Sequence, residues 1–330
     1  MAVADKANRA SQPFVPNSRM IFDLDLGGKI LNMKVVLNGL VVATGGAPGT
    51  IFGEGGPINL IRRIQIKAVP ANGSRYPGDL LVDCTPRSLL RYAISQHSGK
   101  FIGDQLNATL GNGAPGTYPV YTSIPIYFAD ATKRNQIATA LSSDPVNYAS
   151  LQLIVYTGDL TSCFTGNTAA PTWGGLQVSV VDDRVALAGD TVALYQEDHV
   201  QLIGAAQRRM QDFGMPQDGT FDSWLVMQEQ SAAATLADTL INKITVRGPT
   251  ILFDKYFNDI RQQMYDDEWL DPSQSGAGLL FIDWTDSVLA NAINASQLSI
   301  TFDVNNPSGS NLDDLFIYTR RVYQPLPAGN

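Results

Sequence analysis

The sequence predicts an all-β chain made of two tandem β-sandwich or jelly-roll domains, with a few short helices on their flanks. Three observations predict it. Short strand-like runs, about eight in each half, recur along the 330 residues and are punctuated by Gly, Pro and Asn. The stretch LIRRIQIKA from Leu60 returns 180 residues later as LINKITVRG from Leu240, alike in character at every position. A helix signal follows the repeated strand both times, while the long helical stretches of a βαβ fold are missing.

The first 19 residues are small and polar, with Lys6, Arg9 and Arg19 outweighing Asp5, and they read as an arm without a core of its own. Strands are expected at MIFDLDL and ILNMKVVLNGLVVAT, both rich in alternating or β-branched apolar residues. GGAPGTIFGEGGP then reads as a flexible loop, and VPANGSRYPGD as a hairpin connection. In TPRSLLRYAISQH, Thr85 suits an N-cap and Pro86 the first helical position, so a helix is expected there. Its counterpart, DKYFNDIRQQMYDDE, has Asp254 as the expected cap and Phe257, Ile260 and Met264 on one face.

The correspondence runs on. IPIYFADATKRNQIATAL, read as strand, acidic turn and short helix, is echoed by LLFIDWTDSVLANAIN; the alternating strand LQLIVY is echoed by LSITF. The offset shrinks to 147 residues at these last strands, from Leu151 to Leu298, because the loops of the first copy are longer. The expected division is an arm over 1–19, a first domain over 20–160, a Gly-, Thr- and Pro-rich linker over 161–174, a second domain over 175–323 and a terminal extension over 324–330.

Twenty-three basic against 31 acidic residues, a net charge of −8, argue against a broad grip on nucleic-acid phosphates. Cys84 and Cys163, far apart in sequence, signal neither a disulfide framework nor a zinc site. The N-terminal stretch lacks the apolar core of a secretory signal and no run is long enough to cross a bilayer as a helix, so folding in a cytoplasm is expected.

Chemistry is hard to place on these residues. His97 and His199 are the two histidines, too few for the His-rich metal site of a two-barrel enzyme, and neither lies near a nucleophile signature. No catalytic, metal or cofactor residue is assigned. The acidic pairs Asp182–Asp183, Asp266–Asp267 and Asp313–Asp314 read as solvated turns, although a glycosidase also needs two carboxyls across a cleft. Trp224 and Trp269 stand beside polar residues, as on sugar-binding surfaces, but Trp more often serves a core or an interface.

With GPINLIRRIQIKA in its first half, SIPIYFADATKRNQIATALSSDPVNYASLQLIVYTGD as a strand-turn-helix-strand unit and ADTLINKITVRGPTILFDKYFNDIRQQ in its second, the duplicated chain resembles a double jelly-roll major capsid protein. That family includes the shell proteins of tailless, icosahedral, membrane-containing bacteriophages and the adenovirus hexon.

The resemblance implies two tandem eight-stranded jelly-roll barrels, a non-enzymatic role in the virion and homotrimeric capsomers that tile a shell. It implies as partners further copies of the chain, vertex and minor capsid proteins and an internal lipid membrane, with assembly in the host cytoplasm. It further implies that the arm bearing Lys6, Arg9 and Arg19 faces inward toward that membrane or neighbouring capsomers. The flank helices, through Leu89, Leu90 and Ile94 and through Phe257, Ile260 and Met264, are then expected at contacts between subunits. The competing class is a two-domain β-sandwich lectin or glycoside hydrolase that uses the acidic and Trp-bearing loops.

Overall fold

The computed structural model describes residues 5–8, 11–43, 51–52, 56–74, 76, 78–97, 116–130, 138–161, 164–165, 172–186, 193–203, 209–211, 218–230, 235–236, 238, 240–248, 251–271, 276–285, 293–294, 296, 298–304 and 313–323. Sixteen principal strands and two helices carry the fold. The first eight strands are β1 (Asp5–Asn8), β2 (Arg19–Leu24), β3 (Lys29–Ala43), β4 (Ile61–Pro70), β5 (Asp79–Cys84), β6 (Gly116–Tyr127), β7 (Tyr148–Thr157) and β8 (Thr172–Val185), with α1 (Pro86–Gln96) between β5 and β6. The second eight are β9 (Ala193–Ile203), β10 (Arg209–Gln211), β11 (Thr220–Gln230), β12 (Ile241–Arg247), β13 (Ile251–Tyr256), β14 (Leu279–Asp283), β15 (Ser299–Val304) and β16 (Asp313–Tyr323), with α2 (Phe257–Asp266) between β13 and β14.

Both halves pair their strands in the same order. The first builds β1-β8-β3-β6 facing β2-β7-β4-β5, and the second builds β9-β16-β11-β14 facing β10-β15-β12-β13. Adding eight to every strand of the first half gives the second. This interleaved pairing of early and late strands is the jelly-roll order.

The repeated strand shows why the order holds. In β4, Ile64, Ile66 and Ala68 point inward while Arg62 and Lys67 stay in solvent; in β12, Ile244 and Val246 are buried and Asn242 and Arg247 exposed. Strand period two thus puts one face on the core. A one-residue slip would turn that face to water. These side chains share one buried core with Met33, Val35, Leu37, Ile124 and Val178 of the first roll's facing sheet and with Phe221, Val226, Leu315 and Ile317 of the second's.

Two expectations about boundaries need correction. Thr172–Val185, assigned in sequence to the linker and the opening of the second domain, pairs with β3 from Val42 down to Lys29, so it is the last strand of the first roll. Its Trp173 indole N–H donates to Leu160 O at 3.1 Å and closes the preceding turn. The supposed arm is also structured in part: Asp5–Asn8 pairs with β8 from Arg184 to Val181, and Arg19 opens β2 opposite Tyr156. Composition hid both because short polar strands and Gly-rich strand starts look like linker until a partner strand satisfies their backbone. Residues 324–330, Arg9 and the short helices expected after Asp130 and Asp283 lie outside the described residues.

The helices begin as chemistry requires. Thr85 caps α1, its hydroxyl accepting from Ser88 N–H at 3.4 Å, with Pro86 at the first position. The α2 cap is Tyr256 and not Asp254, which remains in β13, where Thr245 Oγ1 donates to it at 2.7 Å and Lys243 pairs with it at 2.9 Å. A cross-strand cation and hydroxyl outcompete the helix terminus for that carboxylate.

Candidate functional site: the seam between the two rolls

The rolls are joined edge to edge. Strands β5 and β9 run parallel, with Val82 opposite Gln196 and Asp83 opposite Glu197, so β2-β7-β4-β5 continues into β9-β16-β11-β14 as one sheet. Helix α1 lies over this joint, with eight of its eleven residues buried, which places it inside the chain. Its Tyr92 ring packs against Phe281 and Tyr318 of the second roll, at 5.8 and 4.9 Å between centroids.

A buried polar network runs along the seam. Arg320, on β16, is fully buried, and its guanidinium reaches into the first roll: Nη1 donates to the Tyr92 hydroxyl at 2.8 Å, and Nη2 donates to Phe128 O at 3.3 Å. Its Nη1 also lies 3.3 Å from Asp130 Oδ2, and its Nε lies 3.2 Å from Asp222 Oδ2. The Tyr92 hydroxyl donates in turn to Asp130 at 2.7 Å, and Gln96 Nε2 donates to the other oxygen of that carboxylate at 2.9 Å. Burial alone would lower the Arg320 pKa, but Tyr92, Asp130 and Asp222 outweigh it and raise it.

A second set of bonds follows β9. Gln196 is fully buried; its amide donates to Tyr127 O at 3.1 Å and accepts from the Tyr318 hydroxyl at 2.6 Å, while its carbonyl accepts from the Cys84 thiol at 3.2 Å. Burial pushes the Cys84 thiol well up, so it stays protonated and inert at neutral pH. Next to it Asp198 accepts from Thr85 N–H and the Ser88 hydroxyl and pairs with Arg63 at 3.0 Å. At the rim Arg87 meets Glu229 at 2.7 Å.

This arrangement binds the two domains to each other. Among the described residues, no three His, Cys, Asp or Glu side chains gather as a metal would require, and no helix is long and apolar enough to cross a membrane. His97 ends α1 with its ring 2.6 Å from the Tyr127 hydroxyl, and His199 sits 3.7 Å from Glu197; burial lowers both histidine pKa values. Asp182 is buried against Arg184 at 2.7 Å, and this acidic pair lies inside the sheet, in β8 between β1 and β3. A groove of about 250 Å³ beneath α2 is lined by Phe253, Lys255, Gln263, Phe281 and Trp284.

The residues expected to bear function are distributed differently. Leu89, Leu90, Ile94, Phe257, Ile260 and Met264 are each at most 9% exposed and packed into the chain's own core, so they leave little side-chain surface for a neighbouring subunit. The apolar stripe of each short helix is spent on the sheets below it. On α2 the outward face is Asn258, Asp259, Gln262 and Asp266. Lys6 and Arg19 lie on different sheets, opposite Asp183 and Tyr156. Trp224 is fully buried 4.7 Å from Trp284 and so is not free to stack on a sugar, while the half-buried Trp269 packs edge-on against Phe281 at 4.8 Å.

Sequence reasoning missed Arg320, Asp222 and Asp130. The signal was there in LFIYTRRVY, where two adjacent cations interrupt a strand otherwise apolar on both faces. Charges in such a strand need buried partners.

No protein-family model and no curated protein matches this sequence. Solved structures do. The STIV major capsid protein is similar over 99% of this chain and 100% of its own, with a TM-score of 0.71 at 11% identity. The chain has the double jelly-roll fold. The major capsid protein of bacteriophage PM2 shares this double jelly roll over 98% of this chain and 99% of its own, with a TM-score of 0.60 at 10% identity. The Faustovirus major capsid protein does so over 98% and 90%, with a TM-score of 0.60 at 10% identity.

Proposed function

We propose that this chain is the major capsid protein of a tailless icosahedral virus and that three copies form its capsomer. The observation that supports the reading is the end-to-end likeness to viral major capsid proteins, which extends over both rolls and nearly the full length of each partner chain. Its work is structural, without catalysis. Two similar rolls per chain and three chains about an axis present six similar flanks, so a threefold object packs on a hexagonal lattice. A rigid seam suits that task, because each subunit must present both rolls at a fixed angle to its neighbours.

The partners in this reading are further copies of the chain, vertex and minor proteins at positions where the hexagonal packing must bend, and a lipid membrane beneath the shell. Assembly takes place in the host cytoplasm. Contacts between copies would bury on the order of thousands of Å² in total, as obligate interfaces do.

Size-exclusion chromatography with light scattering tests the trimer. A species of about 107 kDa, three times the 35.6 kDa chain, with six-cornered particles in electron microscopy, is the expected result. A monomer at every concentration and salt tried would overturn the autonomous capsomer.

A further inference from the structure

We propose that Arg320 is a positioning residue: its buried guanidinium sets the mutual orientation of the two rolls and so the shape of the subunit. The proposal concerns one chain and does not depend on what the subunit assembles into.

Arg320 belongs to the last strand of the second roll, yet the hydrogen-bond acceptors it reaches, the Tyr92 hydroxyl and Phe128 O, belong to the first, as does Asp130. Asp222 of its own roll holds the Nε side. The guanidinium carbon also lies 5.0 Å from the centre of the Tyr92 ring. A planar fork whose directed donors meet the Tyr92 hydroxyl and Phe128 O, with Asp130 and Asp222 as charge partners at 3.3 and 3.2 Å, fits one relative placement of the rolls.

Asp198 and Gln196 also make directed bonds across the seam, but its apolar and main-chain parts are less selective. The apolar contact of Tyr92 with Phe281 and Tyr318 tolerates small slides and rotations, because dispersion and area burial are nearly direction-free. The parallel pairing of β5 with β9 extends over two residue pairs, Val82–Gln196 and Asp83–Glu197, a short rail on which one sheet edge can pivot. A displaced arrangement would leave a fully buried cation facing apolar surface, so its cost falls on every orientation but one. Buried ionic groups add little net stability against apolar replacements of the same size, and specificity of arrangement is the role left to this one.

The test measures orientation directly. Spin labels on ketone-bearing side chains introduced at Val146 of the first roll and Tyr256 of the second, 74% and 60% exposed, leave both cysteines untouched. Labelled chain diluted into unlabelled chain reports distances within one subunit. The parent gives one narrow distance. Arg320→Lys keeps the charge but loses the fork, and it is expected to broaden or split that distance. So is the triple variant Arg320→Met, Asp130→Asn, Asp222→Asn, which leaves no buried charge stranded.

Hydrogen exchange supplies the second readout. Amides at Tyr92–Gln96 and Gln196–Asp198 should exchange about tenfold faster, while those of Ile64–Ile66 and Ile244–Val246 stay at the parent rate. A narrow, unshifted distance in the variants overturns the proposal. So does faster exchange spread equally over seam and cores, since Arg320 would then be a general stabiliser. If the triple variant does not fold, Arg320→Lys decides on the same two readouts.

Discussion

The carboxylate of Asp198 accepts the backbone N–H of Thr85 at 2.6 Å, so a side chain of the second roll caps the helix of the first. The same oxygen accepts the Ser88 hydroxyl at 2.8 Å, and the other oxygen meets Arg63. A negative charge at a helix N-terminus is favoured by the exposed N–H groups and the helix dipole, and here it also fastens the two domains together.

Replacing Asp198 by Ala should therefore cost about 3–5 kcal/mol, because it strands the α1 terminus and removes a buried partner of Arg63. Asp198→Asn, which keeps one acceptor, should cost less. Chemical denaturation of the purified chain measures both, and a loss below about 1 kcal/mol for the Ala variant would contradict the capping role.

The duplicated strand makes a paired prediction. Ile64 and Ile244 occupy equivalent places in LIRRIQIKA and LINKITVRG, and both are fully buried. Truncation of either to Ala should cost about 2–4 kcal/mol by loss of burial and creation of a cavity. With a continuous sheet and a polar seam between the rolls, either change should move a single unfolding transition. Two separate calorimetric transitions, with each mutation shifting one of them, would mean that the rolls unfold independently.

Gly39 tests the first roll's last strand. A Cβ on Gly39 would lie 2.7 Å from the Leu176 Cα on β8, at the place where the β3–β8 register shifts between Gly174 and Gln177. Backbone cannot yield as a side chain does, so Gly39→Ala should cost about 1–3 kcal/mol. Exchange should quicken at Gln177 and Val178 first.

Acid should weaken the chain through His199. Burial holds its pKa below the ordinary 6.5, against the opposing pull of Glu197 and Asp198. The unfolded chain then takes up this proton more readily than the folded one, so stability is unaffected above pH about 6.5 and falls as pH drops below it. His199→Gln should flatten that part of the stability curve, measured by denaturation between pH 7 and pH 5. An unchanged slope would assign the acid sensitivity to other groups, among them His97, whose pKa burial and Lys34 also lower.

How far the residues could be read differs from element to element. The period-two pattern of β4 and β12, the Thr85 cap and the order of the repeat were legible because each depends on residues close together in sequence. Asp254 was misread as a cap because Lys243 and Thr245, which hold it in a strand, lie on another element. The flank-helix residues were correctly read as one apolar face, yet the sequence is silent on whether such a face meets the chain itself or a neighbour.

Local pattern by itself thus determined that this is a duplicated, β-rich chain of two like domains. Tertiary structure alone decided that Thr172–Val185 closes the first roll, that Phe257 and Leu89 face inward, and that Arg320 reaches across to Asp130 and Tyr92. Strand periodicity is a property of neighbours along the chain. Pairing order and the partnering of a buried charge are properties of distance in space, here between residues 190 and 228 positions apart.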